Sequence, residues 1–224
     1  MYLIPTRCKV VRRLLTCTVG ALSLVVLANS CANPADNKPV AETSAPIEKE
    51  ITPIETPAQA ANGSVYTIAS GSKLMWTGSK VTGSHDGGFN TFSGQVTLPA
   101  DDLTQAAIKI DMDVNSMYSD NDKLTEHLKS PDFFDAPSFP TATFESTSLA
   151  KTATGYDVSG NLTLRGVTKG IIFPASLAME GDTLKANAEF VINRKDFNIN
   201  YAGKADDLIR DEVVIKFDIT ATKS

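Results

Sequence analysis

The chain has 224 residues, with 26 acidic against 21 basic side chains, a formal net charge of −5, and 42% hydrophobic but only 7% aromatic residues. Loss of an export signal over residues 1 to 30, which holds four basic and no acidic residues, moves that charge from −5 to −9. So acidic a protein argues against nucleic acid as a partner and against electrostatic docking on anionic lipid.

Arg7, Lys9, Arg12 and Arg13 lead into Leu14 to Leu27, a run of apolar and small residues too short for a comfortable membrane span. That pattern predicts an export signal over residues 1 to 30, and with it a place in the periplasm or cell envelope. Cys8 and Cys17 lie inside the signal, so the exported chain keeps only Cys31 and can form no intramolecular disulfide. Cys31 directly follows Leu27-Ala28-Asn29-Ser30, where a bacterial lipoprotein would be cleaved and acylated, although the leucine lies one place further from the cysteine than is usual. Ala28-Asn29-Ser30 also fits ordinary signal-peptide cleavage. The expectation is a lipoprotein held to a membrane through acylated Cys31, with plain secretion as the alternative.

Residues 31 to 63 read as a disordered linker. Five of the eleven prolines fall there (Pro34, Pro39, Pro46, Pro53 and Pro57), among Ala, Thr and Glu and with no aromatic residue. Such a composition buries too little apolar surface to offset the entropy of ordering.

From about residue 64 to the end at 224 the pattern changes to period two. Leu74, Trp76 and Gly78 share one phase, followed by Phe92, Gly94, Val96 and Leu98, then Ala106, Ile108, Ile110, Met112 and Val114. The same alternation runs through Ala142 and Phe144, Tyr156 to Leu164, Phe173 to Met179, Leu184 to Ile192 and Val213 to Ile219. These make about eight half-buried strands. Thr154-Gly155, Gly166 and Gly181-Asp182 supply tight reversals between them. The fold class is therefore all-β, with an eight-stranded antiparallel barrel expected and a sandwich as the alternative. Gly78, Gly94, Gly160, Ala106, Ala175, Ala186 and Ala188 all fall in the inward phase, which either leaves an elongated apolar space or marks strand bends.

One stretch, residues 119 to 140, has a helical period. Ser119 and Asp122 suit a capping box, and Leu124, His127 and Leu128 share one face. Ser130-Pro131 ends the helix, and Asp132 to Asp135 forms a further turn that carries Phe133 and Phe134, with Asp132 placed to cap it. A lone helical insertion between two sets of strands is expected to cover one end of the barrel.

His127 through Asp135, with Phe139-Pro140 and Phe144, resembles the signature of the YceI family. Leu162-Thr163-Leu164-Arg165-Gly166-Val167-Thr168-Lys169 and Asn193-Arg194-Lys195-Asp196-Phe197 are similar to two further blocks of that family, in the same order. Together they place about residues 64 to 222 in it. The resemblance implies an extracytoplasmic, lipocalin-like barrel that binds polyisoprenoid-type lipids. Many members carry a histidine near the position of Lys80, so headgroup contacts do not transfer directly.

The resulting expectation is a binding protein, not an enzyme, enclosing an isoprenoid lipid or quinone. Trp76, Phe92, Ile110, Met112, Leu162 and Phe190 are expected to line the tunnel. Lys80 continues the phase of Trp76 and Gly78 and would either hold a polar head or lie in solvent, and Phe133 and Phe134 would gate the mouth or simply pack. The alternative is a filled barrel acting as an interaction protein of the envelope. His85, in a Gly-rich turn, and His127, packed against a neighbouring carboxylate or backbone, offer no spacing for a metal site. No nucleophile elbow, triad or nucleotide loop appears, and no cofactor is implied. Arg194 and Asp196 read as a turn-locking ion pair. The sequence leaves a homodimer open.

Overall fold

The computed structural model describes residues 33–48, 63–99 and 102–224. The expected export signal, Cys31 and the linker residues 49–62 lie outside the described residues. The strands are β1 (Glu42–Ser44), β2 (Ser64–Ile68), β3 (Lys73–Lys80), β4 (Gly83–Phe89), β5 (Phe92–Leu98), β6 (Ala107–Asp113) and β7 (Met117–Ser119). After the helix α1 (Asp122–Lys129) come β8 (Thr141–Lys151), β9 (Tyr156–Leu164), β10 (Val167–Glu180), β11 (Thr183–Asn193), β12 (Gly203–Lys204) and β13 (Asp207–Lys223).

Strands β10, β9, β8, β6, β5, β2, β13 and β11 pair in that order, each antiparallel to the next, and β11 returns to β10. The sheet thus closes into the expected eight-stranded barrel, which leaves few edges to protect. β3 continues β2 along the same edge of β13, while β4 and β7 extend β5 and β6 beside it. Those three staves are lengthened at one end of the barrel, and α1 sits at that end.

Local chemistry explains the joints. Arg165 and Gly166 both have positive φ (47° and 71°), the two-residue reversal whose twist suits a tight hairpin between β9 and β10. In β8 the register slips between Ser146 and Ser148. Ala142, Phe144 and Ser146 are buried before the slip and Leu149 after it, so the extra residue switches the inward phase from even to odd positions.

Two sequence expectations need correction here. The helix is capped by Asn121, whose side chain accepts from the Leu124 amide at 3.1 Å. Ser119, the expected cap, instead ends β7, where its hydroxyl meets that of Thr125 at 2.9 Å. The linker is also not wholly loose: within residues 31 to 63, β1 pairs with β10, and Ala41 is only 5% exposed. Main-chain hydrogen bonds to a strand edge are nearly independent of side-chain type, so a composition of Pro, Ala, Thr and Glu does not betray them.

Candidate functional site

The barrel interior holds a cavity of about 460 Å³, within the size range of small-molecule sites. It runs along β13 from Ile209 to Ala221, roughly 40 Å of strand. Trp76, Ile110, Met112, Leu162 and Phe190 line it, with Phe144, Phe173 and Phe217. Phe92 does not: it packs against the core but borders no part of the cavity.

Six of the seven small inward residues divide into two groups, while Ala188 packs against the core without bordering the cavity. Gly78, Ala106, Ala175 and Ala186 border the cavity and leave it open. Gly94 and Gly160 instead make room for neighbours: a Cβ at Gly160 would lie 2.5 Å from the Phe144 ring, and one at Gly94 would lie 2.5 Å from the Lys109 carbonyl oxygen. Gly87, opposite Trp76 across the β3–β4 pair, serves the indole, because a Cβ there would lie 2.2 Å from its Cζ2. Any side chain at residue 87 would therefore move Trp76. The indole Nε1 is buried without a hydrogen-bond partner, as is the Nε of Arg210, and both residues line the cavity.

Leu124, His127, Leu128, Phe133 and Phe134 bring the helical insertion to the cavity, so the insertion covers one end as its period suggested. His127 Nε2 lies 2.8 Å from Asp132 Oδ2, and its ring meets Phe133 and Tyr201 edge-on at 5.0 and 4.9 Å. Asp132 thus pairs with the histidine and is not primarily a cap. His85 lies within strand β4, not in a turn, with Nδ1 2.8 Å from Asp120 Oδ1. Among the described residues no group of three or more His, Cys, Asp or Glu side chains comes together.

Three basic residues hold this end together, and apart from the Arg194–Ile199 bond their partners lie at least 15 residues away in sequence. Lys80 lines the cavity and its side chain is 38% exposed, but its ammonium is paired with Asp207 Oδ2 at 2.5 Å, so it is not an unclaimed charge waiting for a head. Arg165 donates to the carbonyls of Pro131 (2.7 Å) and Asn198, tying the exit of the helical insertion to the loop after β11. Arg194, only 5% exposed, donates to the carbonyls of Ile199, Arg210 and Ile209 and to Asp211 Oδ1 at 3.3 Å. Its ionic partner is therefore Asp211, not the expected Asp196. Burial pulls the Arg194 pKa down, and the charge of Asp211 opposes that.

The Lys80 ammonium holds the Asp207 carboxyl below its ordinary 3.8, against a smaller effect of burial and with help from Thr82. A depressed carboxylate pKa stabilises the fold above 3.8, and that stability is lost as pH falls through the folded-state value. Asp207→Asn should therefore be destabilised relative to the parent at pH 6, with the gap closing below pH 3.8. Urea midpoints of the two proteins between pH 6 and 2 measure this, and a gap that stays constant across that range would refute the assignment.

A closed antiparallel barrel with an apolar interior and a helical cover at one end is the lipocalin-like class of architecture. The sequence model of the YceI-like domain matches residues 66–221, and the chain belongs to that family. A UPF0312 protein of Pectobacterium carotovorum is 36% identical over 119 residues, covering 50% of this chain and 62% of the relative. One from Yersinia pestis is 38% identical over 123 residues with the same coverage. The match thus spans about three fifths of the length of these curated relatives. Among solved structures, BcnA of Burkholderia cenocepacia superposes with a TM-score of 0.60 at 28% identity, over 67% of this chain and 96% of BcnA. A polyisoprenoid binding domain from Saccharophagus degradans, implicated in plant cell wall breakdown, gives 0.58 at 19% identity, over 71% of this chain and 98% of that one, a likeness of fold.

Proposed function

We propose that this protein is a non-enzymatic carrier that encloses a long apolar lipid of isoprenoid type in its barrel, exported and held to a membrane through acylated Cys31. The observation that carries this reading is the elongated apolar cavity, lined along its length by side chains such as Trp76, Met112, Leu162 and Phe190. The S. degradans likeness supports the ligand class. Each enclosed CH2 gains about 0.8 kcal/mol, so a long tail binds with few polar contacts. Trp76 Nε1 offers one donor for an oxygen of the head, which suits a polyprenol or an isoprenoid quinone. Lys80 is already paired with Asp207, so an acceptor oxygen of the head also meets the Nε of Arg210, a cavity-lining donor that is likewise buried without a partner. A filled barrel acting as an interaction protein lacks its premise, because the interior is not filled.

Native mass spectrometry of the exported chain, purified without detergent and then extracted with solvent, tests the reading. The expected result is a stoichiometric apolar adduct that extraction releases. An apo mass that stays unchanged after incubation with isoprenoid quinones would overturn it.

A further inference from the structure

β10 and β11 are hydrogen-bonded neighbours only between Ser176–Glu180 and Thr183–Asn187. Beyond Pro174, which has no N–H to offer, the two strands part while each keeps its outer partner, β9 or β13. Residues 39 to 47 fill the opening. On the β11 side the Ala41 amide donates to the Val191 carbonyl at 2.8 Å and the Val191 amide to the Pro39 carbonyl at 2.9 Å, with Val40 and Val191 in parallel register. On the other side β1 pairs antiparallel with Gly170–Ile172 of β10. Further on, the Asn161 side chain clamps Ile47, accepting from its amide at 2.8 Å and donating to its carbonyl at 2.9 Å.

The segment is therefore a ninth stave, set into a split wall. Gly170 is shaped for it: a Cβ there would lie 2.6 Å from Ile47 Cγ1, 2.6 Å from Ser44 Oγ and 2.7 Å from the Ala45 carbonyl oxygen. The stave precedes the matched family domain, residues 66–221. Its hold is light. Ala41 is buried, but Glu42, Thr43, Ser44, Ala45 and Pro46 are exposed, and Val40 is 68% exposed. A segment fixed by a few backbone bonds and little apolar burial opens more readily than the core strands around it. Behind it Ile171, Phe173, Phe190 and Ile192, two from each parted strand, all line the cavity. Phe173 and Phe190 stack across the split at 4.2 Å. The helical end, by contrast, is tied by Arg165, Arg194 and the Lys80–Asp207 pair.

We propose that residues 39–47 are a removable stave, and that the apolar ligand enters and leaves the cavity sideways through the seam between β10 and β11 that this stave covers. This rests on the carrier reading above. Glu42 and Ile172 lie directly opposite each other, so Glu42→Cys with Ile172→Cys, in a chain carrying Cys31→Ser, can lock the stave by a disulfide. The probe is decylubiquinone, followed by quenching of Trp76, the one tryptophan of the chain. The locked protein should take up and release the quinone at least tenfold more slowly than the Cys31→Ser parent, with its equilibrium affinity unchanged. Gly170→Val, which pushes the stave out, should speed both steps. Equal rates in locked and parent chains overturn the portal and leave the carrier reading standing. Absence of quenching in every variant removes the carrier reading for quinones, and the portal with it. Hydrogen exchange gives a separate check: the Ala41 and Val191 amides should exchange by local opening, well ahead of the amides that join β11 to β13. If they exchange only with global unfolding, the stave does not open and the proposal is overturned.

Discussion

Leu162→Trp is expected to block lipid uptake while leaving the barrel folded. Leu162 faces inward from β9, 9% exposed, between Phe144 of β8 and Lys169 of β10 in register, and it lines the cavity. Enlarging a side chain in a packed core typically costs about 1–3 kcal/mol, because neighbours must leave their rotamers. Here the added indole has empty space to enter, so the urea midpoint should move little. The same indole occupies room that a lipid tail needs. Displacing about three or four methylenes forfeits roughly 3 kcal/mol of burial, about a hundredfold in affinity. Native mass spectrometry of the variant beside the parent reads the occupancy directly. Unchanged loading would mean that the tail does not run past β9, and the tunnel assignment would fail.

That expectation could be written from the sequence because alternation along a strand fixes the face on which a residue lies. The phase of Leu162 with Val158, Gly160 and Leu164 is visible without coordinates, as is the phase of Ile110 with Met112. Phe92 shows where the rule stops. It has the right phase and pairs with Met112, yet packing decides whether an inward ring borders a void or fills one. Gly160 makes the same point in reverse, since its missing side chain is filled by Phe144 and leaves no space. Short-range polar readings fared worse than patterned apolar ones. Arg194 pairs not with Asp196, two residues away, but with Asp211 across a loop, and Lys80 finds Asp207 at a separation of 127 residues. Nothing local in sequence encodes which distant carboxylate a barrel end brings near. The stave at residues 39 to 47 was invisible for a different reason, because its attachment is made by backbone groups that every residue type carries.

The largest stability effect is expected at Arg194, and it also tests what holds the helical end together. The guanidinium is a buried donor fork: Nε reaches the Arg210 carbonyl at 3.0 Å, Nη1 the Ile199 carbonyl at 2.6 Å, and Nη2 the Asp211 carboxylate at 3.3 Å. Arg210 and Asp211 lie within the irregularity in β13 between Ile209 and Val213, where pairing with β3 is interrupted. The arginine thus supplies bonds that the sheet does not make there. Arg194→Met would keep much of the volume but leave the carbonyls without a partner, at about 1–3 kcal/mol for each buried group stranded. Taken near the low end for the carbonyls of Ile199, Ile209 and Arg210, that is about 3–5 kcal/mol in all, so a fall in Tm of roughly 10–15 °C is expected for a domain of this size. Arg194→Lys separates the two contributions, because lysine keeps the charge but cannot bond several divergent acceptors at once. If the fork is what matters, lysine should recover little of the loss, and calorimetry should place both variants close together. Full recovery by lysine would shift the weight to the pair with Asp211. That carboxylate is about one-third exposed and already bound by Lys195 at 2.8 Å, so on its own it is the weaker anchor.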